Sequence, residues 1–411
     1  MSSQRSERPS PALAYVIGTY PIPTTTFIDR EIDALRRLGV SIQVLSIRRP
    51  GLPLLSGSQR QRLEEVHYVL PARIGDLLRS HAGFLRSRPV VYLTTFARLV
   101  TRPHPSVRAR VRTVLHFGLG VHVARLLQDR YPSDHVHAHF VDRAALVALV
   151  AGRLLDRSFS ATAHANDIYV DPILLPEKIA SAKFIATCTR YNDTHLRSLA
   201  NGASDKVRCV YHGIDLRDFS PGSSRRHDAP LILSVGQLKE KKGFGDLLDA
   251  CRILVDREVP FVCEIVGEGP LRASLQARIA DLDLDPYVRL VGGLPHDEVI
   301  RKYREATIFV LPCVTGPDGD RDGIPNVIIE AMAMGLPVVS TRHSGIPEAV
   351  HDERTGLLVP KADPEALALA ILRLLSDWKL RDRLGGRGRE RVSVLFDVDT
   401  NAKALLAAVM A

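Results

Sequence analysis

The sequence predicts an α/β protein of two doubly wound domains facing a cleft, and three observations carry that prediction. At 411 residues the chain exceeds what one hydrophobic core serves well, so two domains of roughly 200 residues each are expected. Short apolar runs alternate with amphipathic helical stretches in both halves, the pattern of parallel sheets covered by helices. A polar linker, Gly222 to Pro230, separates the two cycles. With 45% hydrophobic and 25% charged residues the composition is that of a globular chain with a large core.

The first cycle opens at Ala14 with AYVIGTYPIPTTTFIDREIDALRRLGVSIQVLSI, a βαβ unit. Phe27, Ile28, Ile32, Leu35 and Leu38 recur at helical spacing, Gly39 ends the helix, and Ile42 to Ile47 supplies the next strand. From about Leu70 to Arg130, amphipathic segments broken by Pro89, Pro103 and Pro105 read as helices and loops. The βα rhythm resumes with HVHAHF (His135 to Phe140), a helix Arg143 to Leu155, a strand Ser158 to Ala163 and a strand Phe184 to Thr187, and the lobe ends near Val210 to Pro221. The second cycle has strands at Leu231 to Val235, Phe261 to Val266, Val288 to Val291, Ile308 to Leu311 and Pro337 to Ser340, with helices Gly245 to Asp256 and Leu271 to Leu282 between them. The expected domains are therefore residues 1–221 and 222–394, followed by a C-terminal helix within residues 395–411. In such folds ligands sit where the carboxyl ends of strands meet the cleft.

Charge and cysteine usage narrow the function classes. The net charge is +9, and most of the imbalance falls between Arg73 and Arg130, where eleven arginines face only Asp76 and Asp129. Two readings stay open for that stretch: a face for an anionic membrane surface, or the solvated face of ordinary helices. No nucleic-acid-binding module accompanies the charge. The five cysteines are scattered, with none at CxxC spacing, which argues against a disulfide framework or zinc knuckle. The polar opening Met1 to Ala12 and the short apolar run Leu13 to Ile17 do not make a signal sequence or a membrane span, so a cytoplasmic protein is expected, peripheral on the inner membrane face if the arginine stretch binds lipid. Neither half opens with GxGxxG and a ribose-binding acid, which disfavours a nicotinamide dehydrogenase.

The segment DGIPNVIIEAMAMGLPVVST, Asp322 to Thr341, resembles the donor-binding signature of retaining GT-B glycosyltransferases of family 4: an acid, seven residues, then Glu. SVGQLKEKKGF, VGEGP, SGIPE and TGLLVP are similar to other motifs of that family's second lobe. YPIPTTTFIDREI, HVHAHF and TAHANDIY look like first-lobe motifs of its exopolysaccharide and colanic-acid branch. The resemblance spans nearly the whole chain. It implies two Rossmann-like lobes, the first for acceptor and the second for a nucleotide-sugar donor, with the C-terminal helix packing back on the first lobe. It also implies a retaining front-face transfer to a saccharide or lipid-linked acceptor, without metal or cofactor. Two departures from the pattern, Asp322 for Glu and Gln237 for Arg, keep a catalytically silent nucleotide-binding subunit open, and a GT-B nucleotide-sugar epimerase or a phosphorylase on the same plan is the rival enzyme.

Such a transfer needs carboxylates for hydroxyls and cations or N–H groups for a departing diphosphate. By resemblance Asp322 holds sugar hydroxyls, Glu330 the ribose hydroxyls and Lys242 the diphosphate, with Gln237 hydrogen-bonding beside it. Gly323 lets backbone approach a ligand, Ile324 and Pro325 lead into a helix, and the N–H groups near Asn326 face the diphosphate at its positive end. His164 is the first-lobe candidate at the reacting region, with His139 and Asp167 beside it. Gly18 ends the first strand, and Thr24 to Thr26 line the same edge where the family often carries Ser-Glu-Thr, so an acid is missing there. Gly267 and Gly269 in VGEGP read equally as a close-approach loop for the donor or as a plain tight turn. His135, His137 and His139 alternate on one strand face with Asp142 nearby, the spacing of a metal cluster, but the family motif explains the string better. DxD strings at Asp281, Asp318 and Asp397 are frequent enough to arise by chance, and the metal-free reading is kept.

Overall fold

The computed structural model describes residues 11–51, 56–221 and 229–411; the start of the polar opening and most of the linker lie outside the described residues. The first lobe forms a sheet of β1 (Ala12–Thr19), β2 (Ser41–Arg48), β3 (His67–Tyr68), β4 (His135–His139), β5 (Phe159–Ala163), β6 (Ile185–Thr187) and β7 (Val207–Cys209). The second has β8 (Leu231–Val235), β9 (Val262–Val266), β10 (Val288–Gly292), β11 (Ile308–Leu311), β12 (Val338–Thr341) and β13 (Leu357–Val359). Their orders are β3-β2-β1-β4-β5-β6-β7 and β10-β9-β8-β11-β12-β13, every pairing parallel. Each sheet therefore reverses direction of winding once, between β1 and β4 and between β8 and β11, and a crevice opens at each reversal.

Local sequence accounts for the elements. The helix Thr26–Arg37 buries Phe27, Ile28, Ile32 and Leu35 and presents its polar residues elsewhere. The arginine-rich stretch folds as three helices, Ile74–Ser87, Pro89–Thr101 and Val107–Asp129. Pro89 opens the second of them, where a missing N–H costs nothing, and Ser106 caps the third by accepting from the Ala109 N–H at 3.1 Å. None of the described helices is long and apolar enough to cross a membrane.

Two segments join the lobes and meet each other. The Ile214 N–H donates to the Phe396 carbonyl at 2.7 Å and the Val398 N–H to the Ile214 carbonyl at 3.2 Å. Beyond this crossing the helix Val398–Met410 lies on the first lobe, burying Val398, Ala402, Leu405 and Val409 with Phe27, Ile28 and Ile32. Arg37 pairs with Asp399 at 2.6 Å. The crossing has no room for a side chain at Gly213, where a Cβ would lie 2.3 Å from Val398 Cα. Gly213→Ala is expected to lower stability by about 1–3 kcal/mol through overpacking. Gly386→Ala, in the helix Trp378–Leu395 where an added Cβ meets nothing within 4 Å, is expected to be neutral or stabilising. Denaturant melts of both variants check the contrast.

Candidate active site

The four strands at the two winding reversals aim their carboxyl ends into one cleft. From β8 the chain runs through Gly236 and Gln237 to a 3₁₀ turn, Glu240–Lys242. Gly243 follows at φ +67°, where a Cβ would lie 1.9 Å from the Pro312 carbonyl oxygen, so only glycine lets the turn pack on the end of β11. This places Lys242 Nζ 2.6 Å from Asp322 Oδ2, and Lys241 Nζ 3.2 Å from the other carboxylate oxygen. Lys241 also reaches Asp320 at 3.0 Å. Burial would raise the pKa of Asp322, but the charges of Lys242 and Lys241 hold it below the usual carboxylate range. Gln237 is exposed. Asp318 accepts from the Asp320 N–H at 3.0 Å, so this DxD string is folded into its own turn and onto Lys241.

Glu330 lies on the helix Asn326–Ala333, whose N-terminus follows Gly323, Ile324 and Pro325. It is 3% exposed. Its Oε1 is 2.5 Å from Arg30 of the first lobe and 3.3 Å from His296 Nε2, and its Oε2 accepts from the Tyr303 hydroxyl at 3.2 Å. Burial opposes the charge, yet His296 and Arg30 hold Glu330 far below the carboxylate range. The glycines of these loops have partners of their own. A Cβ on Gly323 would come within 3.1 Å of the Thr189 methyl of the first lobe, and one on Gly267 within 1.8 Å of the Gly236 carbonyl oxygen. In this structure both close approaches are between protein segments, which supports the turn reading of VGEGP.

On the first-lobe side, His164 caps the short helix Ala165–Tyr169 and is 9% exposed. Neither ring nitrogen has a hydrogen-bond partner among the described residues. Burial, then the neighbouring His212 and His139, push its pKa well below the usual value, so the ring is neutral. Asp167 faces inward, accepting from the His164 N–H at 2.7 Å and from the Val141 N–H; it ties two loops together and does not line the cleft. Gly18, at the end of β1, has open space beside it. Of the three threonines, Thr25 turns its hydroxyl onto the Ile22 carbonyl at 2.8 Å.

The alternating histidines form a ladder with β5. His135 lies between Ser158 (2.7 Å) and Ser160 (2.6 Å), and His137 between Ser160 (2.7 Å) and Thr162 (3.0 Å). Burial holds His135 at about 4 and His137 well below its usual pKa. His139 Nε2 instead pairs with Glu31 at 3.0 Å, leaving Nδ1 without a partner among the described residues. Glu31, His137 and His139 bring ligand atoms within 4.8 Å of one another, but both His137 nitrogens already face hydroxyls, which argues for a hydrogen-bond ladder over a metal triad. Glu31 supplies an acid on the first-lobe wall that the Thr-Thr-Thr segment lacks; the His139 charge and the Tyr15 hydroxyl at 2.7 Å help hold it, against burial, at about 2.

Sequence reading gave no role to Arg30, Glu31, Lys241 or Glu348. Glu31 had a signal: it falls between Ile28 and Ile32 on the buried stripe of its helix, where an acid needs a reason. Glu348, in SGIPE, reaches across to the first lobe. Its carboxylate accepts from the Arg190 and Tyr191 N–H groups at 2.8 and 2.9 Å, at the start of the helix Arg190–Leu199, and from the Tyr211 hydroxyl at 2.8 Å. Two surface cavities, about 480 and 310 Å³, flank the Lys239–Gly243 loop. Neither is lined by Asp322, Glu330 or any first-lobe residue.

Two parallel sheets, one in each lobe and each with a winding reversal, give the GT-B architecture. Residues 217–391, which include most of the second lobe, match the family model described as glycosyl transferases group 1. The chain is 46% identical over 172 residues to the amylovoran biosynthesis glycosyltransferase AmsK of Erwinia amylovora, covering 42% of each protein. It is 44% identical over 165 residues to the putative colanic acid biosynthesis glycosyltransferase WcaL of Escherichia coli, covering 40% of this chain and 41% of WcaL. These matches span less than half the length of either relative. Among solved structures, Anabaena HepE in complex with UDP-glucose superposes with a TM-score of 0.71 at 16% identity, over 97% of this chain and 99% of HepE.

Glu348→Ala strips two helix N–H groups of their acceptor. It is expected to cost about 1–3 kcal/mol of stability and to increase the radius of gyration in small-angle scattering. A variant as stable and as compact as the wild type would show that the contact does not hold the lobes.

Proposed function

We propose that the protein is a retaining glycosyltransferase that moves a sugar from a nucleotide-sugar to a saccharide or lipid-linked acceptor in exopolysaccharide synthesis. The observation that carries this reading is the Lys242–Asp322 pair with the buried Glu330 on the helix that follows Asp322, in a segment that matches the group 1 family model. Lys242, joined by Lys241 and the N–H groups before Val327, takes the diphosphate at the positive end of the helix. Glu330 takes the ribose hydroxyls and Asp322 the sugar hydroxyls. The acceptor hydroxyl bonds to the anomeric carbon from the face the diphosphate leaves, and its proton passes to the departing phosphate. His164, neutral and without a partner among the described residues, hydrogen-bonds at the reacting centre. Lysines and helix dipole supply the positive charge a metal supplies elsewhere. That Anabaena HepE binds UDP-glucose and that AmsK and WcaL carry exopolysaccharide names support the donor class and pathway.

The test is calorimetric titration of UDP, GDP and ADP without metal. One nucleotide is expected to bind, Lys242→Ala to weaken it by roughly tenfold or more, and Glu330→Ala likewise. Unchanged affinity in either variant removes that residue's role, and loss of transfer in EDTA removes the metal-free mechanism.

A membrane-bound acceptor is favoured by the surface of the three arginine-rich helices. Val107, Val111 and Leu115, one stripe of the third helix, are 79%, 53% and 62% exposed, and Ile74, Leu78, Val90 and Leu93 stand out on the other two. Arg108 and Arg112 flank the stripe. Arg112 is close enough to Arg143, which opens the helix after β4, to feel its charge. An apolar stripe flanked by arginine suits an anionic bilayer surface. Sedimentation with phosphatidylglycerol vesicles, but not with phosphatidylcholine vesicles, is expected, and Val111→Asp with Leu115→Asp should abolish it while nucleotide binding persists. No sedimentation with anionic vesicles would leave the face merely solvated.

A further inference from the structure

Arg30 belongs to the first lobe but ends on the second. Its guanidinium is 2.5 Å from Glu330 Oε1, with the two side chains 10% and 3% exposed. The same nitrogen lies 3.2 Å from His296 Nε2, and the guanidinium carbon stands 5.4 Å from the centre of the Phe219 ring. The donor set on Glu330 is unequal. Oε1 faces both Arg30 and His296, whereas Oε2 has the Tyr303 hydroxyl as its side-chain donor.

A carboxylate oxygen accepts about two hydrogen bonds. A ribose diol seated on a carboxylate gives one hydroxyl to each oxygen. Among the described residues Oε2 has one side-chain donor and so a lone pair to offer; with the proton of His296 on Nε2, Oε1 has both of its own engaged. A full diol therefore displaces a donor already in place, whereas a single hydroxyl can be held on Oε2 with the cross-lobe pair intact. Of the two donors on Oε1, His296 belongs to the same lobe as Glu330 and Arg30 to the opposite one, so the contact that lobe motion can release is Arg30.

Resting on the reading of Glu330 as the ribose contact, we propose that Arg30 is a positioning residue that holds Glu330 while the donor site is empty and yields it to the ribose diol. Nucleotide entry then breaks a contact between the lobes. Nucleotide departure after transfer is assisted as Arg30 returns to Glu330. Arg30 thus lowers affinity for the nucleotide while keeping the buried carboxylate ionised and oriented between turnovers.

The experiment is calorimetric titration of the full-length protein with UDP and 2′-deoxy-UDP, and with GDP and its 2′-deoxy form, using wild type, Arg30→Gln and Arg30→Lys. Arg30→Gln is expected to bind the ribonucleotide roughly three- to tenfold tighter and the deoxynucleotide within about twofold of wild type. Arg30→Lys, which keeps the charge without the planar fork, falls between. Ribonucleotide affinity that falls or stays level in Arg30→Gln, or equal tightening of both nucleotides, overturns the proposal. Thermal melts confirm folding; if Arg30→Gln does not fold, Arg30→Lys decides, with selective tightening of the ribonucleotide as support and its absence as refutation. Glu330→Gln separates the two levels: unchanged ribonucleotide affinity there, or no nucleotide binding by the wild type, removes the ribose reading itself.

Discussion

Burying Glu330 to 3% exposure takes a charge out of water, which is tolerated only where partners replace the lost hydration. Those partners come from both lobes: Arg30 from the first, His296 and Tyr303 from the second. The relative position of the two sheets is thereby tied to the charge state and occupancy of one side chain. Asp322 meets the same constraint within its own lobe, through Lys242 and Lys241. The contrast has a functional meaning. The lysine–acid pair is preformed whatever the lobes do, whereas the set of protein partners on Glu330 is complete only when they are together.

The linking segments supply a joint for such coupling. Gly213 admits Val398 against its backbone, so the two connections cross at contact distance and act as one joint. Glu348 adds a clasp near that joint, using the N–H groups at the start of the helix Arg190–Leu199 as a cation would be used. Contacts that are polar and few can be broken and remade at modest cost, unlike the apolar cores on either side, and polar contacts are what a cleft that must admit a donor and release a nucleotide requires.

Most of the fold was legible because its signals are local. The apolar runs of β1, β2, β4, β5 and β8 and the stripe of the helix Thr26–Arg37 lie within a dozen residues each. β3, with two residues, and β7 and β13, with three, were not read as strands, since their identity comes from the neighbouring strand they pair with. The lysine of KEKKG and the acids of DGIPNVIIE were legible as motifs, by resemblance. Their pairing partners were not, since Arg30 and Glu330 are 300 residues apart and Lys242 and Asp322 are 80 apart. Gly267 and Gly323 illustrate a different limit: a glycine reports that something approaches the backbone, and in the structure that something is the Gly236 carbonyl or the Thr189 methyl.

The histidine ladder shows how one pattern supports two chemistries until a neighbouring strand decides. His135 and His137 share a face of β4, as metal ligands on a strand would. The parallel register sets His137 opposite Ser160 and His139 opposite Thr162, so β5 offers hydroxyls at the same period of two. A neutral imidazole has one donor and one acceptor, and a hydroxyl can serve as either; an alternating row of the two satisfies itself without an ion. His139 ends the row because Glu31 reaches its Nε2 from the helix Thr26–Arg37. That pairing leaves Nδ1 without a partner among the described residues. The row that satisfies itself therefore stops at His139, and beyond it the buried ring nitrogens of His164 have no partner among the described residues.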